Sequence, residues 1–105
     1  MDKIKIEPKI KSFIKKVNNK IKLNSVYFFG SRTRNDYLKS SDYDFIFVSD
    51  QFENIFFSKR TALLYDFWNL PQNLGALCYT TDEFNLKKDQ IGIVQEALKN
   101  SVKLF

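Results

Sequence analysis

The sequence predicts an α+β domain in which helices pack on a small mixed β-sheet. Three short runs rich in aromatic and β-branched residues, at 26–29, 42–48 and 75–79, have the character of buried strands. The stretches around them contain apolar residues at helical spacing. A chain of 105 residues with 44% hydrophobic and 16% aromatic residues is long enough to bury a modest core. We therefore expect residues 1–105 to form a single domain.

The composition excludes several kinds of site. The sequence contains no histidine, so a Ser-His-Asp triad, a Cys-His pair and a His-ligated zinc are all ruled out. The one cysteine, Cys78, cannot form an intramolecular disulfide, and its apolar strand favours a buried, inert thiol. With no signal peptide and no apolar run of membrane-spanning length, we expect a cytoplasmic protein with no membrane contact.

The net charge of +5 is concentrated in residues 1–24, the predicted basic amphipathic helix. This segment has eight lysines against two acids, a charge of +6, whereas residues 25–105 have nine bases against ten acids, a charge of −1. Pro8 suits the first helical turn, and we expect the helix to end near Asn24. Its lysines are interpreted as a solvated face, with RNA or an acidic protein as the alternative partner. Its inner stripe comprises Ile10, Phe13, Ile14, Val17 and Ile21.

The first strand ends in a turn that is suited to bind an anion. Gly30 allows a sharp turn and a close approach of the backbone to a ligand. Ser31 can accept from unpaired N–H groups at a helix start or contact an anion there. Arg32 and Arg34 add two planar cations that match phosphate oxygens. We expect residues 33–41 to form a short helix and a polar loop.

The second strand begins with two carboxylates on one face. Because side chains alternate along a strand, Asp42 and Asp44 point to the same side, with Cα atoms about 6.5 Å apart. Carboxylates this close repel each other, and a divalent cation would offset that repulsion. Mg²⁺ commonly uses one or two carboxylates together with substrate phosphates. The predicted chemistry is phosphoryl or nucleotidyl transfer.

The second half of the sequence predicts three further helices around the third strand. Residues 49–57 should cross irregularly with three Phe anchors in the core, Phe52, Phe56 and Phe57. A helix at 58–69 should be capped by Ser58, with Lys59 and Arg60 facing solvent. Thr80 to Glu83 form a cap for a helix that starts at Phe84, and a last helix should span 90–100. Its inner stripe would be Ile91, Val94, Ala97 and Leu98, and Val102, Leu104 and Phe105 should form an edge strand or a packed tail.

The motif Gly30-Ser31, ten residues, then Asp42-Tyr43-Asp44 resembles the signature of the minimal nucleotidyltransferases of the polymerase β superfamily. The S-R-x-R run also matches, and the resemblance to the small prokaryotic branch extends from about residue 25 to the end. The resemblance implies the nucleotidyltransferase fold, with residues 25–50 as its core. It also implies an enzyme that transfers an NMP, with AMP from ATP expected, to a protein or small acceptor.

The same resemblance implies the roles of individual residues. Asp42 and Asp44 would be catalytic and would bind two Mg²⁺ ions, and the nucleotide would be bound by Gly30, Ser31, Arg32 and Arg34. Members of this branch often pair with a small helical HEPN protein as toxin and antitoxin, so such a partner is implied here. A nucleic-acid partner and a homodimer stay open.

The sequence departs from the family pattern at Gly75, where active members place a third carboxylate. In those members the third carboxylate helps to hold the metal that activates the attacking hydroxyl. Loss of a general base commonly costs on the order of 10²–10⁴ in rate. The alternative reading is therefore a catalytically degenerate module that binds a nucleotide or a partner. The nearest candidate substitutes are Asp50, Glu53, Asp66 and Asp82, none at a spacing that obviously reaches the acidic pair.

Overall fold

Four helices and four strands make up the part of the chain that the structure describes. The structure is a computed structural model, and it describes residues 7–30, 32 and 41–105. Most of the helix and loop expected at 33–41 lies outside these residues. The elements in chain order are α1 (Pro8–Lys20), β1 (Ser25–Phe29), β2 (Tyr43–Val48), a 3₁₀ turn (Asp50–Phe52), α2 (Phe57–Tyr65), β3 (Leu74–Tyr79), α3 (Thr81–Lys88), α4 (Ile93–Lys99) and β4 (Val102–Lys103).

The strands form one mixed sheet with the order β3-β2-β1-β4. β1 pairs antiparallel with both β2 and β4, whereas β2 and β3 are parallel. Parallel neighbours need a long crossover connection, and α2 lies in the connection between β2 and β3. The predicted α+β fold with a small mixed sheet is confirmed, and the C-terminal segment supplies its edge strand, β4.

Each face of the sheet has its own hydrophobic core. The larger core lies between the sheet and helices α1 and α2, and the smaller core lies under α3 and α4. Successive residues of β2 alternate between the two, so Tyr43 belongs to the α1 side and Asp44 faces the α3 and α4 side. Fully buried residues of the first core include Val17, Val26, Phe45, Phe47 and Leu64, and the second consists of Ile46, Val48, Tyr79, Phe84 and Val94.

Helix α1 has the predicted faces but is shorter than expected. Its apolar stripe is buried, and all six lysines from Lys9 to Lys22 are exposed, as predicted for a solvated face. The helix ends at Lys20 instead of near Asn24, because Ile21 adopts an extended conformation with φ −126° and ψ 111°. This extended segment carries Ile21 and Leu23 into the core below the sheet.

The start of α2 differs from the sequence prediction. Phe52 is buried as expected, but Phe56 and Phe57 are 77% and 54% exposed, so the prediction that they anchor the core is wrong. The helix begins one residue earlier than expected, at Phe57, so Phe56 occupies the N-cap position that was predicted for Ser58. It ends at Tyr65 instead of Asn69.

Arg60 is buried, although the sequence suggested that it faces solvent. Its Nε donates to the carbonyl oxygen of Ile55 at 2.9 Å, and its Nη1 donates to that of Cys78 at 3.1 Å. The guanidinium also bonds both carboxylate oxygens of Glu83, at 2.6 and 3.3 Å. Because Glu83 is 23 residues away, no local pattern could have indicated this pairing. Arg60 thus joins α2, β3 and α3.

Side chains of α2 cover the outer edge of β3. Three carbonyl oxygens on this edge, those of Leu74, Ala76 and Cys78, each accept a hydrogen bond from a polar side chain. The donors are Tyr65 Oη at 2.6 Å, Thr61 Oγ1 at 3.3 Å and Arg60 Nη1 at 3.1 Å. An edge strand normally leaves such groups open to another chain, and here they are satisfied within the domain.

The C-terminal helices are confirmed with changed boundaries. The predicted cap is present, as a reciprocal capping box of Thr80 and Glu83, but α3 begins at Thr81 instead of Phe84. α4 begins at Ile93, later than expected, so Ile91 is 97% exposed and does not belong to the inner stripe. In the described residues, no helix combines the length and the apolar character needed to cross a membrane.

Candidate active site

Two carboxylates lie at the start of β2. Asp42 directly precedes the strand and is exposed, whereas Asp44 is its second residue and is half-buried. Tyr43, between them, points into the core on the α1 side, so both acids point to the opposite face. On that face α3 and α4 pack over the other end of β2, at Ile46 and Val48.

The surroundings of Asp44 raise the pKa of its carboxyl above the usual value of 3.8. Partial burial is the larger cause, and the negative charge of Asp42 is the second. The structure therefore brings the two acids close enough to repel. A bound cation would offset both effects, because it neutralises the charge that burial and Asp42 disfavour. The pair has the electrostatic properties of a cation-binding site.

The Asp44 carboxylate lies between two glycines. A Cβ placed on Gly30 would be 2.5 Å from Asp44 Oδ2, and a Cβ placed on Gly75 would overlap Asp44 Oδ1. Gly30 also has a φ of +87°, a conformation that residues with side chains rarely adopt. The turn after β1 and the start of β3 thus approach the carboxylate from both sides. Neither position can accept a side chain unless Asp44 moves.

The donor set fits a divalent cation that is shared with a substrate. Mg²⁺ prefers oxygen ligands and is often held by one or two carboxylates plus phosphate oxygens. No cluster of three acidic or thiol side chains that could hold a metal ion is found in the described part of the chain. Asp42 and Asp44 would therefore hold the ion together with phosphate oxygens of the substrate.

Two of the four candidate substitutes for the carboxylate absent at Gly75, Asp50 and Asp82, lie away from the acidic pair. Asp50 lies beyond the opposite end of β2, about 20 Å from Asp44 by the rise of a strand. Its Oδ1 accepts a hydrogen bond from the Thr81 amide at 3.0 Å. Asp82 is in the first turn of α3, next to the same distant end of the sheet.

Arg32 points away from the acidic pair. Its side chain is buried, and its Cζ lies 4.0 Å from the centroid of the Tyr43 ring, on the face opposite Asp44. This position does not support the prediction that Arg32 binds the nucleotide phosphates, because the guanidinium is held in the core on the α1 side. Ser31 and Arg34, the other predicted phosphate contacts of the turn, lie outside the described residues, and their roles stay predictions.

Glu7 and Tyr43 belong to this region, although the sequence did not indicate it. Tyr43 Oη donates to Glu7 Oε1 at 2.8 Å, and Arg32 Nη1 is 3.9 Å from the same oxygen. Glu7 occupies the N-cap position of α1, 36 residues from Tyr43, so only the fold connects them. The only sequence feature that could have indicated a role for Tyr43 in the site is its position between the two acids. The alternation along the strand, however, predicted that it is a core residue.

Comparisons with known proteins identify the kind of domain. The model of a family described as nucleotidyltransferase domain matches residues 10–102. A crystal structure of a candidate nucleotidyltransferase from Sulfolobus solfataricus aligns with a TM-score of 0.61 and 23% sequence identity, over 96% of this chain and 89% of that one. At this identity the similarity supports the fold alone. None of the curated proteins matches the sequence.

Proposed function

The chain belongs to the nucleotidyltransferase domain family, and from this premise we propose that it transfers AMP from ATP to a protein or small-molecule acceptor. In this reaction an acceptor oxygen bonds to the α-phosphorus, the bond from that phosphorus to the bridging oxygen breaks, pyrophosphate leaves and the acceptor loses its proton. The observation that carries the proposal is the position of the Asp44 carboxylate, between Gly30 and Gly75 and close to Asp42.

Each part of the site has a distinct role in this proposal. Asp42 and Asp44 would hold two Mg²⁺ ions, which supply charge neutralisation and polarisation of the reacting phosphate when bound. Gly30 lets the triphosphate approach the main chain, and Ser31 and Arg34 are proposed to contact its oxygens. Most of the rate enhancement would come from positioning and electrostatic stabilisation.

We propose a small helical HEPN-type protein as the acceptor, with this chain as the antitoxin of the pair. The test is to incubate the protein with Mg²⁺–ATP and such a partner and to weigh the partner by mass spectrometry. The expected result is a gain of one AMP, which is lost when Asp42→Asn and Asp44→Asn are combined. A partner that stays unmodified with ATP, GTP, CTP and UTP would contradict the enzymatic proposal.

Gly75 favours a second function, a binding module that neutralises its partner by docking alone. In that case the combined Asp42→Asn and Asp44→Asn variant would still bind and neutralise the partner, whereas an enzyme would lose neutralisation. The variant Gly75→Asp supplies the family's third carboxylate, but its Cβ would occupy the volume of Asp44 Oδ1. A gain of transfer activity in this variant therefore requires that Asp44 first move.

A further inference from the structure

The guanidinium of Arg32 forms hydrogen bonds with both residues that flank Asp42 in the sequence. Its Nε donates to the carbonyl oxygen of Ser41 at 2.8 Å, and its Nη1 donates to Tyr43 Oη at 3.0 Å. Ser41 and Tyr43 are the residues directly before and after Asp42. We propose that Arg32 is a positioning residue, which fixes the backbone that carries the Asp42 carboxylate. The proposal rests on the function proposed above and assigns Arg32 a role there that does not involve phosphate contact.

Asp42 needs such support because it lies outside the strand pairing. The parallel pairing of β2 with β3 begins at Tyr43, and the antiparallel pairing of β2 with β1 ends at Asp44. Asp44 therefore has partners in both neighbouring strands, Phe29 and Gly75. Among the described residues Asp42 has no such partner, the nearest backbone bond being that of the Tyr43 amide to the Asn73 carbonyl at 3.0 Å, and its side chain is exposed. The hydrogen bonds of Arg32 are made at the point where the pairing of β2 with its neighbouring strands ends.

Arg32 is itself held firmly. It is 6% exposed and Tyr43 is 3% exposed, and the guanidinium lies against the Tyr43 ring. Tyr43 Oη accepts from Arg32 and donates to Glu7 Oε1, so a continuous chain of hydrogen bonds extends from the turn after β1 to the start of α1. Glu7 also offsets the positive charge, at 3.9 Å from Arg32 Nη1. A buried charge that Ser41, Tyr43 and Glu7 hold among the described residues is suited to fix a backbone segment.

The expected consequence of losing this support is weaker binding of the metal-bound nucleotide. Two carboxylates share one cation well only when both are in place before it arrives. Changes in the groups that orient metal ligands typically lower metal affinity 10–100-fold. Arg32 lies on the opposite face of the sheet, so it can exert this effect without contact to metal or nucleotide.

The test compares two buried arginines. Arg32→Met keeps the apolar stem and removes the guanidinium. Arg60→Met is the matched control, because Arg60 is also buried and also pairs with a glutamate, while its two backbone carbonyl partners, Ile55 and Cys78, do not adjoin the acids. The readouts are the ¹⁵N relaxation order parameter of the Asp42 amide and the Kd of Mn²⁺–ATP from electron paramagnetic resonance. Tyr43→Phe provides a milder variant that removes only the hydroxyl.

We expect Arg32→Met to lower the order parameter at Asp42 and to weaken Mn²⁺–ATP binding about 10–100-fold. Tyr43→Phe should change both readouts in the same direction and by less. Arg60→Met should lower the melting temperature and leave both unchanged. An Asp42 amide that stays equally ordered in Arg32→Met, or an affinity that falls no more than in Arg60→Met, would overturn the proposal. If the wild type binds no Mn²⁺–ATP, the proposed function fails, and the amide order still decides the role of Arg32.

Discussion

At the scale of single residues, Asp44 belongs to the candidate site, and its ionised carboxylate lowers the stability of the fold. Burial and the charge of Asp42 raise its pKa, so the folded chain binds a proton at Asp44 more tightly than the unfolded chain. The contribution of Asp44 to stability is therefore complete below its unfolded pKa, near 3.8, and is lost as pH rises through the raised pKa. At neutral pH the ionised carboxylate lowers the free energy of unfolding.

We expect Asp44→Asn to stabilise the metal-free protein and to abolish nucleotide binding. The amide removes the buried charge, which should raise the free energy of unfolding at pH 7 by about 0.5–2 kcal/mol. Urea denaturation measures the first effect, and calorimetry with Mn²⁺–ATP measures the second. Asp89→Asn, the same substitution at an exposed position, serves as a control that should change neither quantity. An Asp44→Asn protein that is less stable than wild type at pH 7 would contradict this account of Asp44.

Gly75 provides a second prediction at this scale. In Gly75→Ala the new Cβ would occupy the volume of Asp44 Oδ1, and the carboxylate would have to turn away. We expect the affinity for Mn²⁺–ATP to fall about tenfold, which corresponds to about 1.4 kcal/mol. Gly92→Ala is the matched control, because a Cβ there meets nothing within 4 Å. Equal affinities of the two variants would show that Gly75 does not constrain Asp44.

At the scale of elements, the pair of Arg60 and Glu83 joins α2 to α3 across the end of β3. The hydrogen bond from Arg60 is the main reason why the pKa of Glu83 lies below its usual value of 4.5. Stability from a lowered pKa is fully present above the unfolded pKa and is lost as pH falls through the folded one. The link between the two helices should therefore weaken in acid.

We expect Glu83→Gln to lower the free energy of unfolding by about 1–2 kcal/mol at pH 7. This value is smaller than for a fully buried ion pair, because the Glu83 side chain is 42% exposed and solvent screens its charge. The difference from wild type should shrink as pH falls below 4.5, which urea denaturation at several pH values can measure. Glu96→Gln is the control. Its ion pair with Lys99 is exposed on both sides and should be worth less than about 0.5 kcal/mol. A loss in Glu83→Gln that does not depend on pH would contradict the role of the charge.

Elements with a local signal could be predicted from the sequence, and those set by distant contacts could not. The cap at Thr80 to Glu83 is a local pattern, and it was found at the predicted place, although the helix starts at Thr81 and not at Phe84. The burial of Arg60 depends on β3 and α3, which are brought close only by folding. The acidic pair could be proposed from strand alternation. The inward position of Arg32 could not, because it depends on Tyr43 and Glu7.

At the scale of the whole molecule, the cationic surface and the acidic pair lie on opposite faces of the sheet. The exposed lysines belong to α1, which packs on the face of Tyr43, whereas Asp42 and Asp44 point to the other face. We expect Lys15, Lys16 and Lys20, which lie later in α1 than the Glu7 contact with Tyr43, to be farther from the acidic pair than the Debye length of about 8 Å at 0.15 M salt. These lysines should therefore have little electrostatic effect on the site.

We expect the triple variant Lys15→Gln, Lys16→Gln and Lys20→Gln to keep its Mn²⁺–ATP affinity within about twofold at 0.15 M salt. If the lysines form an RNA-binding surface, the same variant should lose RNA affinity, and the RNA affinity of the wild type should fall steeply with added salt. Calorimetry and a salt titration of RNA binding measure the two effects. A large loss of nucleotide affinity in the triple variant would show that the lysines act on the site after all.

The hydrogen bonds from α2 to the outer carbonyls of β3 also bear on how copies of the chain can meet. A neighbouring molecule cannot extend the sheet there into a continuous ribbon unless α2 first detaches, and the opposite border offers only the two residues of β4. Resistance to fibrillar aggregation should therefore depend on Thr61, Tyr65 and Arg60, three side chains that lie outside the proposed reaction centre.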